Sequence, residues 1–158
     1  MGLLNWIFGS EEKQAAKRYN NALMRIINDN EHDISAMNAA MVNQDYATAE
    51  KVCRFWENNL DDRINKVFAA DTFHGDDSLK KAIIKGLQAY RRIVTEDYPR
   101  LINLRSGKTM FTLGPNMEKV RPEELEARLL SNINLAFETA ATLVNNARNE
   151  FMEKVKQL

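Results

Sequence analysis

Apolar residues recur at intervals of three and four along almost the whole chain, which is the spacing of one face of an α-helix. The first stripe contains Tyr19, Leu23, Ile26, Asn30, Ile34, Met37 and Met41, of which Asn30 is polar. Three further stripes run from Ala49 to Val67, from Leu79 to Leu104 and from Leu125 to Val155. The sequence therefore predicts four long amphipathic helices and an all-α fold.

The scarcity of turn-forming residues narrows the fold further. The chain has 158 residues but only 6 glycines and 3 prolines, which is too few for the many turns of an all-β fold. This length is typical of one domain, and no Pro-rich or Gly/Ser-rich linker divides the sequence. We therefore expect one domain over residues 1–158. Its predicted form is an up-down-up-down four-helix bundle with a short N-terminal helix and a long loop before the last helix.

Local signals place the helix ends. The residues predicted to cap or open helices are Ser10, Asp45, Asp76 or Asp77, and Pro122. Gly75 supplies a permissive backbone for the turn before the third helix. Pro99 lies within the third stripe and is predicted to kink or interrupt that helix, because it has no N–H to bond to residue 95.

Two segments beside the stripes are candidates for contact with a partner. Residues 1–9 are largely apolar, and Trp6, Ile7 and Phe8 could enter a membrane interface, plug one end of the bundle or contact a partner. We favour the plug or the partner, because one short turn anchors a protein weakly. Residues 105–120 are predicted to form a loop, and loops of this length are often functional. Its Met110 and Phe111 would be costly to expose.

The charges balance over the whole chain but not along it. Lys and Arg number 22, as do Asp and Glu, so no nucleic-acid partner is expected. Residues 80–121 nevertheless carry ten basic and three acidic side chains. The simpler interpretation is that an acidic half of the chain packs beside a basic half and that most of these side chains are solvated. The alternative is a basic face, including Arg91, Arg92, Arg105 and Lys108, that binds an acidic protein or a lipid headgroup.

Few residues could carry enzymatic chemistry. The glycine-rich nucleotide-binding motifs are absent, and Cys53 is the only cysteine and lies on an apolar stripe, as a small buried hydrophobic residue would. A di-metal site in a bundle needs two Glu-x-x-His motifs. The chain has only two histidines, and the acid three residues before each is an aspartate, Asp29 before His32 and Asp71 before His74. His74 lies in the predicted connection between two helices, so it does not supply the second helical motif. We therefore predict a protein that is not an enzyme and has neither metal nor cofactor.

One part of the sequence resembles a known family. Residues 72–82 read Thr-Phe-His-Gly-Asp-Asp-Ser-Leu-Lys-Lys-Ala, with Tyr90 and Glu96-Asp-Tyr98 after them and Tyr19-Asn-Asn-Ala-Leu23 before them. This pattern, over residues 15–104, resembles a family of small helical bacterial proteins named after a Leptospira surface protein. The resemblance implies a helical fold and an exported or lipid-anchored protein whose molecular function is unassigned.

These observations favour a helical-bundle protein that binds a macromolecular partner, in the first place another protein. One alternative is a bacterial immunity or chaperone-type protein that binds and neutralises a secreted toxin. Another is a peripheral membrane protein held by its N-terminal segment. No run of 18 apolar residues and no secretory signal pattern is found, so we expect a cytoplasmic protein, with membrane-peripheral contact as the alternative.

Overall fold

The computed structural model describes residues 3–107 and 120–158, with side chains from Gly9 onward in the first range. Every regular element in these two ranges is a helix. The elements are α1 (Leu3–Asn28), α2 (Asn30–Val42), α3 (Tyr46–Ala69), α4 (Ser78–Arg92), a π-helical segment (Ile93–Asp97), α5 (Tyr98–Arg105) and α6 (Pro122–Lys156). The all-α prediction is confirmed for the described part of the chain, and α6 begins at the predicted Pro122.

The first predicted helix differs from the structure in two places, near its middle and at its start. It is divided at Asp29 into α1 and α2. At the start, α1 begins at Leu3 and continues past Ser10 without a break. The predicted cap at Ser10 is therefore wrong, and the apolar N-terminal segment is the start of α1 instead of a short helix of its own.

Side-chain hydrogen bonds are found at the caps predicted for α3 and α4. The Thr48 backbone N–H donates to Asp45 Oδ1 at 3.2 Å, so Asp45 caps α3 as predicted. Of the two candidates before α4, Asp76 makes the bonds, since its Oδ1 accepts from the Ser78 N–H at 2.9 Å and the Ser78 hydroxyl at 2.6 Å. These bonds hold the pKa of Asp76 at about 2. Gly75 has the positive φ, 77°, that the turn requires.

The interruption predicted at Pro99 takes the form of a π-helical turn. The Tyr98 N–H bonds to the Ile93 carbonyl, five residues back, and Pro99 opens α5. A π turn accommodates one extra residue without ending the helix. The helix axis thus continues past Pro99, although that residue cannot donate to the carbonyl of Thr95.

The core is built around α4, which packs against α1, α3 and α6. Gly86 of α4 lies against side chains of α1 and α6. A Cβ atom at this position would lie 3.0 Å from Ile27 Cδ1 and 3.3 Å from Val144 Cγ2. The missing side chain therefore allows α4 to pack between α1 and α6.

A buried polar network joins the start of α2 to α3. Asn30 Oδ1 accepts from Trp56 Nε1 at 2.9 Å and from Arg63 Nη1 at 2.7 Å, and Asn30 Nδ2 donates to the Ile27 carbonyl at 2.8 Å. Arg63 Nη1 also lies 2.7 Å from Asp33 Oδ2. Asn30 thus has a structural reason to occupy an otherwise apolar stripe, because buried polar groups need such partners.

Asp97 is a buried carboxylate in the π-helical segment. Its Oδ2 lies 4.0 Å from Arg92 Nη2, and no group in the described ranges hydrogen-bonds to that oxygen. Burial raises the pKa of Asp97, against the opposing effects of a hydrogen bond from Asn132 and of the Arg92 charge. The folded protein therefore disfavours the ionised form of this carboxylate.

Replacing Asp97 with Asn is expected to stabilise the protein more at neutral pH than in mild acid. Because its pKa is raised on folding, stability is lost as the pH rises through the folded-state value, and an uncharged amide removes that loss. Melting temperatures of both proteins at about pH 7 and about pH 4.5 measure the difference. The exposed Asp62→Asn on α3 is the control. Equal gains at the two pH values for Asp97→Asn would contradict the expectation.

Helix α2 packs against few of the described elements. Among the described elements its backbone packs against α1 and α3 and does not approach α6. A gap therefore separates α2 from α6. No helix within the described ranges combines the length and hydropathy that crossing a bilayer requires.

Candidate functional site

The gap between α2 and α6 is an apolar groove, which we call the α2–α6 groove. It consists of two hollows, of about 420 Å³ and 260 Å³, and Ile34 lines both of them. The larger hollow is lined mainly by Ile34, Met41 and Val42 of α2, Tyr98 and Leu101 of α5, and Leu130, Ile133 and Phe137 of α6. The smaller is lined mainly by Met24 and Ile27 of α1, Tyr90 of α4, and Ala140 and Val144 of α6.

The groove lies where two neighbouring apolar surfaces are not covered by another helix of the described ranges. Val42 has 81% of its surface exposed and Leu130 has 37%. The lining of α6 extends from Leu130 to Asn145, which at 1.5 Å per residue is about 22 Å. Phe137 and Tyr90, whose ring centroids lie 5.5 Å apart, link the two hollows. The two hollows, which adjoin at Ile34, together extend along about four turns of α6.

The rim of the groove is polar but carries few charges. Five asparagine amides line the groove, the buried Asn30 and also Asn28, Asn38, Asn134 and Asn145. The charged lining residues are Glu31 in the smaller hollow and Arg105 in the larger one. Arg105 Nη2 lies 2.7 Å from Glu126 Oε1. One end of the groove therefore carries an acid, Glu31, and the other end carries the ion pair of Arg105 with Glu126.

A second cavity, of about 440 Å³, lies between α3 and the π-helical segment. It is lined by Cys53, Arg54, Glu57, Thr95 and Pro99, among others. Burial is the main cause that raises the pKa of Cys53 to about 12. This thiol stays protonated at neutral pH, whereas a nucleophilic cysteine needs a lowered pKa. The cavity therefore lacks the electrostatics of a cysteine-based active site, in keeping with the prediction that Cys53 is a buried hydrophobic residue.

The structure places the predicted basic residues in three separate ion pairs. Arg91 Nε bonds to Asp61 Oδ1 at 2.8 Å, and its Nη2 lies 3.3 Å from Glu57 Oε1. Arg92 faces Asp97, and Arg105 binds Glu126. Of the three, only Arg105 lines the α2–α6 groove. These contacts favour the simpler interpretation of the charge run, in which the basic side chains pair with acids of the same chain.

Other predicted site residues lie outside the described side chains. These are Trp6, Ile7, Phe8, Lys108, Met110 and Phe111. Of the two histidines weighed as metal ligands, His32 is exposed on α2 and His74 is exposed in the turn before α4. Within the described residues, no three His, Cys, Asp or Glu side chains are grouped so that they could hold a metal ion.

The residues that form the groove were missed by the sequence analysis, although a weak signal for them exists. Ile34, Asn38 and Val42 are spaced four apart on α2, and Leu130 and Phe137 are seven apart on α6. Ile34 belongs to the main stripe, whereas Val42, Leu130 and Phe137 lie beside the main stripes of their helices. These helices are therefore apolar over a wider arc than one packing face needs. An apolar arc of that width indicates that the helix has a second apolar face besides the one that packs in the core.

No protein-family model, no curated protein and no solved structure matches this chain. The resemblance to the Leptospira-named family, the bacterial origin, the immunity role and the cytoplasmic location therefore stay predictions.

Proposed function

We propose that this protein is not an enzyme and that it binds another protein through the α2–α6 groove. The observation that carries the proposal is the separation of α2 from α6, which leaves Val42 81% exposed beside an apolar groove. Exposed apolar surface is unfavourable in water, at about 25 cal/mol per Å². A groove of this kind, with a polar rim, is typical of a site for a protein partner.

The shape of the groove favours an amphipathic helix as the part of the partner that binds. Its walls are two helices, α2 and α6, and its floor comes from α4 and α5. A helix of about 15 residues has the length of the groove and could lay its apolar face between the two walls. The separate cavity between α3 and the π-helical segment has charged walls and does not extend the groove.

The same contacts support a proposal for the helix arrangement. Along the groove, Ile34 and Val42 of α2 follow one another in the opposite order to Phe137 and Leu130 of α6. The first and last helical segments would then run antiparallel, as neighbours do in an up-down-up-down bundle. We propose that α1–α2, α3, α4–α5 and α6 are the four segments of such a bundle.

A display library of 15-residue helices tests the binding function. We expect it to yield peptides that bind the wild-type protein and bind Val42→Lys at least about tenfold more weakly, a difference of about 1.4 kcal/mol. The control is Leu135→Lys on α6, because Leu135 is 58% exposed and lies outside the groove. Fluorescence anisotropy with each selected peptide gives the dissociation constants.

Two results would overturn the proposal. One is a set of binders that Val42→Lys leaves unaffected, or that Leu135→Lys weakens equally. The other concerns the occupant and comes from sedimentation of the protein alone. A wild-type dimer that Val42→Lys dissociates would show that a second copy of this chain, and not another protein, fills the groove.

A further inference from the structure

We infer that the α2–α6 groove accepts an amphipathic helix in one direction only, with a basic first turn at Glu31 and its last turn at Arg105. The partner helix would then run parallel to α2 and antiparallel to α6. This inference rests on the proposed function, and it adds the direction and the charge pattern of the partner.

The acidic end of the groove is at Glu31. This residue lies in the first turn of α2, is exposed and lines the smaller hollow. Its neighbour Asp33 is different, because that carboxylate is bound by Arg63 at 2.7 Å. None of the ion pairs seen among the described residues uses Glu31, so its charge is available to a cationic group that enters the groove.

The basic end of the groove is at Arg105. Its Nε and Nη2 both donate to Glu126 Oε1, at 2.8 Å and 2.7 Å. A guanidinium group has five N–H donors in total, so this one retains the capacity to bind further acceptors. The last carbonyl groups of a helix have no partner within that helix. They are the acceptors that the C-terminal turn of a bound helix would present to Arg105.

The helix macrodipole favours the same direction of the bound helix. A helix carries about half a positive charge at its N-terminus and half a negative charge at its C-terminus, each worth about 0.3–1 kcal/mol beside an opposite charge. Placing the N-terminus at Glu31 makes that contact favourable, whereas the reversed helix would bring its negative end to Glu31. At the other end Glu126 offsets the charge of Arg105, so Arg105 favours a helix C-terminus through its remaining N–H donors. The uncharged amides between the ends have no preference of their own.

Two designed peptides of 15 residues test the direction. They share one apolar stripe, and one has lysines in its first turn and glutamates in its last, whereas the other has these charges exchanged. The exchanged peptide is the better helix when free, because its charges suit its own dipole. The measured quantity is therefore the ratio of the two dissociation constants, compared between the wild-type protein and Glu31→Lys, since peptide helicity cancels in that comparison.

We expect Glu31→Lys to shift this ratio against the lysine-first peptide by at least about fivefold, or about 1 kcal/mol. The matched control Glu138→Lys makes the same charge change on an exposed face of α6 outside the groove and should leave the ratio unchanged. If Glu31→Lys leaves the ratio unchanged while Val42→Lys still abolishes binding of both peptides, the inferred helix direction is overturned. The proposed function would then still stand. Failure of both peptides to bind the wild-type protein would overturn both.

Discussion

Replacing Asn30 with Ala is expected to lower the free energy of unfolding by about 3 kcal/mol or more. The substitution removes the acceptor shared by Trp56 Nε1 and Arg63 Nη1. Trp56 is fully buried, so its N–H would lose its partner with no access to water. Arg63 would keep Asp33 but lose one of the contacts that hold it between α2 and α3. The lost packing of the amide adds a cavity term.

Urea denaturation followed by circular dichroism measures this loss without relying on tryptophan fluorescence, which the substitution would itself change. Asn30→Asp keeps an acceptor for both donors and should cost less than Asn30→Ala. Asn58→Ala, on the exposed face of α3, is the control and should change the stability by no more than about 0.5 kcal/mol. A loss of less than about 1 kcal/mol in Asn30→Ala would show that the network contributes little.

Replacing Gly86 with Val is expected to destabilise the protein by about 3 kcal/mol, the upper range for overpacking a core. A Cβ alone at this position would already lie 3.0 Å from Ile27 Cδ1 and 3.3 Å from Val144 Cγ2. The two further methyl groups of valine would have to displace α1 or α6 from α4. The loss of the β-branched residue's rotamer freedom in a helix acts in the same direction.

Gly86→Ala separates this crowding from the effect of helix propensity. Alanine gains about 1 kcal/mol of propensity over glycine, and its closest contact, Ile27 Cδ1, is the end of a flexible side chain. We therefore expect a net change near zero. Ile27→Val removes the Cδ1 atom, so a double-mutant cycle should show favourable coupling with Gly86→Ala. Equal stability of Gly86→Val and Gly86→Ala would contradict the close packing.

Local signals predicted most helix boundaries, because a cap or a turn depends on a few adjacent residues. Asp45, Gly75 and Pro122 are examples, and each lies where its chemistry predicts. The division of the first helix at Asp29 was not predicted, since the stripe continues across it. Asn30 directly follows the division, and its partners Trp56 and Arg63 lie 26 and 33 residues further along the chain, beyond the reach of local signals.

The candidate site was less accessible to prediction than the fold. A run of basic residues indicates a basic face only when no acid from another helix reaches it, and Arg91 finds Asp61 thirty residues away. The α2–α6 groove depends on how two helices diverge, which the period of apolar residues does not encode. Only the width of the apolar arcs that contain Val42 and Leu130 hinted at it.

The π-helical segment sets the direction in which the residues of α5 point around the helix axis. Deleting one residue from Ile93–Asp97 would restore a regular α-helix and rotate the next turns by about 100° about the axis. Tyr98 and Leu101 would then leave the floor of the groove, and Ile102 would leave the core. A one-residue change in length at this site could thus abolish the groove without altering any residue that lines it.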